Sequence, residues 1–142
     1  MQQSQEHVTV EHRGVVVADS HRPWRILETA HAPAYYLPQD DVRLDLLQES
    51  ATRTTCEFKG RAAYADLVLP DGSRVPDACW WFPQPVSRYA DLAGAICFYP
   101  QRVDRCTVAG EDVVPLASPF YGDWPTSRIA GPYKGGPGTE WW

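Results

Sequence analysis

The sequence predicts an all-β domain, mostly antiparallel, with one or two short helices. Three observations carry that expectation. Short β-branched or alternating runs recur along the chain. Gly-containing turn signals separate them. The helical candidates are brief, a turn or two each.

Taken in order, Val8–His12 and Val15–Asp19 read as a hairpin, with Arg13-Gly14 as its turn. Trp24–Glu28 reads as a short strand after Pro23, with Arg25 and Leu27 on one face and Ile26 and Glu28 on the other. Ala34–Leu37 is an extended piece between Pro33 and Pro38. Asp40–Leu47 reads as helical turns whose acids sit at the favoured end of the dipole. Thr52–Phe58 is a strand leading into Lys59-Gly60. Ala62–Leu69 and Ser73–Trp80 flank Pro70-Asp71-Gly72 and predict a second hairpin. Val86–Ala93 reads as a brief helix and Ala95–Tyr99 as an apolar strand. Val103–Val108 and Glu111–Val114, turning at Ala109-Gly110, predict a third hairpin. Residues 115–142 are rich in Gly, Pro and aromatics. Phe120, Tyr121, Trp124, Tyr133, Trp141 and Trp142 are costly to leave in water, so this tail is expected to pack over the domain.

With 142 residues, of which 44% are hydrophobic and 22% charged, the chain reads as a single globular domain, 1–142. Its net charge of −5 argues against nonspecific binding to nucleic acid, which needs Lys and Arg to neutralise phosphate. No apolar run approaches the roughly 18 residues of a membrane helix, and the first residues show no basic start or apolar segment. A cytoplasmic protein with no membrane partner is expected.

Four cysteines, Cys56, Cys79, Cys97 and Cys106, are separated by 22, 17 and 8 residues. Structural zinc sites bring thiolates in close pairs, and none exists here. Buried or half-buried thiols are the expectation, with no metal and no cofactor.

The chain has eleven arginines and two lysines, both in an aromatic-Lys-Gly pattern: Phe58-Lys59-Gly60 and Tyr133-Lys134-Gly135. Lysine surviving in an arginine background points to a role for a compact ammonium, as anion holder or acid/base. The plainer reading is two loop lysines beside turn glycines. Lys134 lies in a Gly-rich stretch whose order is wrong for a phosphate loop, because Lys precedes the glycines and prolines follow.

With these residues in view, the chain resembles domain-of-unknown-function family 427. The resemblance rests on Glu11-His12-Arg13-Gly14-Val15-Val16-Val17-Ala18-Asp19-Ser20, Leu27-Glu28-Thr29, Tyr35-Tyr36-Leu37-Pro38, and Asp41-Val42-Arg43. It continues through Thr55-Cys56-Glu57-Phe58-Lys59-Gly60 with Tyr64, Ala95–Tyr99, and the Tyr121–Gly135 tail. Glu57-Phe58 and Asp123 depart from the family's usual Pro-Tyr and Gly. The resemblance implies a bacterial protein with a compact antiparallel fold similar to the β-tent. It also implies a pocket ringed by Glu28, Tyr36, Cys56, Lys59 and Tyr64. Zinc, which some β-tent proteins hold between cysteine pairs, is not implied without those pairs. Members are sometimes labelled nucleotidyltransferases. That chemistry needs carboxylates converging on Mg²⁺, whereas Asp40 and Asp41, as neighbours, point apart.

Three chemical possibilities follow. Cys56 lies three residues before Lys59, and a cation beside a thiol favours the thiolate nucleophile, with His31 as a base that space could supply. A strand cysteine is more often a small core residue. Glu28, flanked by apolar residues, needs a cation if buried, and Lys59 or Arg25 would serve. Trp80-Trp81-Phe82 and the tail aromatics could wall a pocket or simply form core. The resulting expectation is a small-molecule pocket protein. As an enzyme it would run metal-independent acid/base chemistry on a polar or anionic molecule, with Lys59, Glu28 and Cys56 as catalytic candidates. Arg25, Tyr36, Tyr64, Trp80 and Lys134 would line the ligand. The alternative is a non-catalytic ligand-binding or protein-interaction domain. A tail buried against another chain would favour homo-oligomers.

Overall fold

The computed structural model describes residues 1–28, 31–56, 59–118 and 121–126. Among the described residues there are eleven strands: β1 (Gln2–Gln3), β2 (Val8–His12), β3 (Val15–Ser20), β4 (Trp24–Ile26), β5 (Ala34–Tyr36), β6 (Leu47–Cys56), β7 (Gly60–Val68), β8 (Arg74–Trp81), β9 (Cys97–Phe98), β10 (Arg105–Val108) and β11 (Glu111–Asp112). They form three antiparallel sheets, ordered β1-β4-β5, β11-β10-β2-β3 and β6-β7-β8-β9. The protein is therefore all-β. Its helical content among the described residues is four short 3-10 segments, and no helix is long and apolar enough to cross a membrane.

All three expected hairpins form. In β2-β3 and β10-β11 the turn residues, Arg13-Gly14 and Ala109-Gly110, all have positive φ, between 49° and 81°. Turns with two positive φ values match the right-handed twist of the strands they join.

The two helical expectations become 3-10 turns. Gln39–Asp41 and Leu44–Leu46 replace a continuous helix at 40–47, and Ser87–Leu92 stands where Val86–Ala93 was read. Such short pieces have too few hydrogen bonds to sustain α geometry. The strand at Thr52–Phe58 begins earlier, at Leu47, and β4 stops at Ile26, leaving Glu28 on a loop.

Bulges explain why the strand patterns are irregular. Between Glu49 and Arg53 strand β6 carries extra residues, and β8 does so between Val75 and Cys79, around Pro76. Asp77, at φ 44°, laces the two bulges together. Its carboxylate accepts from Ser50 Oγ and Thr52 Oγ1, both at 2.6 Å.

One apolar cluster joins the three sheets, with Val8, Val10, Val17, Leu37, Leu67, Leu92, Phe98 and Trp124 fully buried. Paired backbone bonds between Leu37 and Ile96, at 2.7 and 2.8 Å, tie the β5 segment to the β9 segment. The described part of the tail enters this core. Trp124 N–H donates to the Pro33 carbonyl at 2.7 Å, and its indole N–H donates to the Phe98 carbonyl at 3.0 Å. Those bonds carry Gly122 and Asp123 to the same end of the sheets as Lys59 and Glu28.

Candidate functional site

Lys59 sits between β6 and β7, where the chain needs a glycine next. Gly60 has φ 118°, and a Cβ there would meet the Gln84 carbonyl at 3.3 Å. The Lys59 carbonyl accepts from Val86 N–H at 2.9 Å, so the 84–86 segment covers the lysine. Its side chain is only 7% exposed, its ammonium lies 5.8 Å from the Tyr89 ring centre, and it donates to Glu28 Oε1. A cation this buried needs a countercharge, and Glu28 supplies it. The Glu28 side chain is 34% exposed, so the pair opens to solvent on the carboxylate side.

A histidine–carboxylate pair stands beside this ion pair. His31 N–H donates to the Glu28 carbonyl at 3.0 Å, which sets the two residues side by side. Asp123 Oδ2 is 2.7 Å from His31 Nδ1, and the His31 ring meets Tyr121 edge-on. Burial raises the Asp123 pKa from its ordinary value, and His31 opposes that shift. Glu28 and Lys59 also act on Asp123, Glu28 raising its pKa and Lys59 lowering it. Glu28, Lys59, His31 and Asp123 therefore share one electrostatic neighbourhood.

Aromatic residues back these two pairs. Tyr36 is fully buried and its hydroxyl accepts from Trp80 Nε1 at 3.1 Å. Desolvation holds its pKa well above that of a free tyrosine, with Glu28 and Asp123 adding to the rise. Trp80 packs on Tyr99 at 4.5 Å between ring centres. Burial raises the Tyr99 pKa, followed by the Tyr64 hydroxyl beside it. Tyr64 in turn meets Thr54 Oγ1 at 3.0 Å.

Gly122 closes this wall. A Cβ at that position would lie 2.6 Å from the Trp80 ring and 2.8 Å from the Tyr99 ring. Gly122→Ala is therefore expected to push the segment outward and cost about 1–3 kcal/mol. A urea melt reads the loss, and the His31 ring resonances should shift as Asp123 moves.

The sequence-predicted residues divide as follows. The structure brings Glu28, Lys59, Tyr36 and Trp80 into this cluster, and Tyr64 joins it through Tyr99. Arg25 goes elsewhere, paired across the sheet with Tyr35 and acting on that hydroxyl together with Glu6. Cys56 ends β6 half-buried and unpaired by disulfide, opposite Gly60. Among the described residues no hydrogen bond joins it to Lys59, whose ammonium is turned to Glu28. Lys134 lies outside the described residues.

Cys79, Cys97 and Cys106 are buried free thiols. Desolvation pushes the Cys79 pKa to about 12, which removes it as a nucleophile. Asp40 and Asp41 both lie beside the Arg22 guanidinium, at 3.8 and 3.3 Å, so each already has a cation near it. Asp41 accepts from Ser20 Oγ at 2.7 Å, while Asp40 lies exposed near Arg22.

Asp123 and Tyr89 were missed as site residues by sequence reasoning, and His31 entered it only as a base for Cys56. The one signal for Asp123 was its place inside the aromatic Tyr121–Trp124 block. A recess of about 160 Å³ lies between Arg53, Arg61, Ala62, Ala63, Pro83 and Gln84. It offers positive charge and an apolar floor.

The model of the family described as Domain of unknown function (DUF427) matches residues 1–109. No curated protein matches the chain.

Proposed function

We propose, from the premise that the chain belongs to the DUF427 family, that it is a small-molecule pocket protein performing metal-independent acid/base chemistry on a polar or anionic substrate. The observation that carries the reading is the buried Lys59 ammonium paired to a carboxylate that reaches solvent.

In this reading Glu28 takes a proton from the substrate. Lys59 remains the fixed positive charge that stabilises the anion left behind. His31, whose Nδ1 is held by Asp123, keeps Nε2 to return a proton. Glu28 already has the Lys59 ammonium as its counterion, which supports a reaction run without a metal at this position. Four free thiols support a reducing, cytoplasmic setting.

The test is incubation of the full chain with a defined mixture of small carboxylic acids and phosphate esters, with products followed by mass spectrometry. One component should be consumed, and Lys59→Ala should slow that by about a hundredfold while circular dichroism stays unchanged. Turnover equal to wild type in Lys59→Ala would overturn the reading.

The second reading, a binding domain without turnover, is favoured by the Arg53–Arg61 recess. It predicts a ligand-induced thermal shift that Arg61→Ala removes and Lys59→Ala does not, with no product formed.

A further inference from the structure

We infer that His7, Asp19 and His21 form a surface site for a divalent transition-metal ion of the Zn²⁺, Ni²⁺ and Cu²⁺ type, separate from the acid/base cluster. The β2-β3 register makes the arrangement. Val8 faces Ser20 and Thr9 faces Asp19, so His7 stands opposite His21 at the open end of the hairpin. Side chains alternate along a strand, which puts Asp19 and His21 on one face. His7 joins that face as a direct neighbour of His21 and a diagonal neighbour of Asp19.

The side chains meet as the register requires. The ligand atoms of all three residues lie within 4.8 Å of one another, and His7 Nε2 is 2.6 Å from Asp19 Oδ1. The two imidazole rings stack with centres 4.1 Å apart and planes 8° apart. The His7 carbonyl accepts from Ala109 N–H at 2.8 Å, which anchors the backbone on the β10 side.

Two imidazole nitrogens and one carboxylate oxygen suit borderline divalent ions, and exposure leaves room for water in the remaining positions. A metal lies in the plane of each ring that binds it. Parallel rings cannot both meet that condition, so capture turns one imidazole about its Cβ–Cγ bond and unstacks the pair. All three residues are exposed, and such a turn meets little resistance.

The experiment is titration of Cu²⁺ into the untagged full chain carrying Cys56→Ser, so that the half-buried thiol does not compete. Calorimetry should show one ion per chain. The frozen-solution electron paramagnetic resonance spectrum should show splitting from two imidazole nitrogens. His21→Ala and Asp19→Asn should each weaken binding by about tenfold or more, whereas His12→Ala, at the other end of β2 against Asp104, should leave it unchanged. An isotherm that survives His21→Ala, or the absence of stoichiometric binding in the parent chain, would overturn the inference.

Discussion

Glu28→Gln is expected to destabilise the fold by about 3 kcal/mol, and Lys59→Met to cost much less, although both remove the same ion pair. The asymmetry follows from burial. The Lys59 side chain is 7% exposed and the Glu28 side chain 34%. Losing the carboxylate strands a cation out of water, with the Tyr89 ring face and the more distant Asp123 as partial compensation. Losing the ammonium leaves a carboxylate that water can reach, and methionine fills the vacated channel. The double variant Glu28→Gln/Lys59→Met should then recover most of the loss, because two neutral groups replace an ion pair. Urea denaturation of the four proteins closes the cycle. If Lys59→Met costs as much as Glu28→Gln, the ammonium is not the member that burial penalises.

Trp124→Ala should be the most damaging single change, at about 4 kcal/mol. A fully buried indole leaves a large cavity, for which about 3–5 kcal/mol is usual. The Phe98 carbonyl also loses its donor. Trp124→Phe separates these contributions, since it keeps most of the volume and removes only the N–H. Its cost should lie near 1–3 kcal/mol. The same residue holds Asp123 beside His31 through its backbone bond to Pro33. Denaturation midpoints measure the stability loss, and near-ultraviolet circular dichroism should report the loosened aromatic wall. A Trp124→Ala protein with an unchanged midpoint would show that the tail does not contribute to the core.

The sequence by itself determined the hairpins. Val8–Ser20, Gly60–Trp81 and Arg105–Asp112 pair with near neighbours, so alternation and turn glycines are enough to specify them. It also singled out Lys59, because one of two lysines among eleven arginines is visible in composition alone. Strand Gln2–Gln3 was not legible, since two polar residues carry no period and pair with β4 only once β4 is placed. The two bulges around Asp77 were hidden for a related reason. Nothing in the Ser73–Trp80 run shows that Asp77 is held by Ser50 and Thr52, which lie on β6, on the far side of β7.

The tertiary structure alone decided which charges meet. Glu28 and Lys59 are 31 residues apart, and His31 and Asp123 are 92 apart. Local pattern describes a residue's own segment, whereas an ion pair depends on where two segments arrive. Arg25 shows the limit most clearly: it was a plausible cation for Glu28, but the β4-β5 register set it against Tyr35 instead. Backbone bonding delivers Asp123, through Trp124 and Pro33, to a place its own neighbours in the chain do not specify.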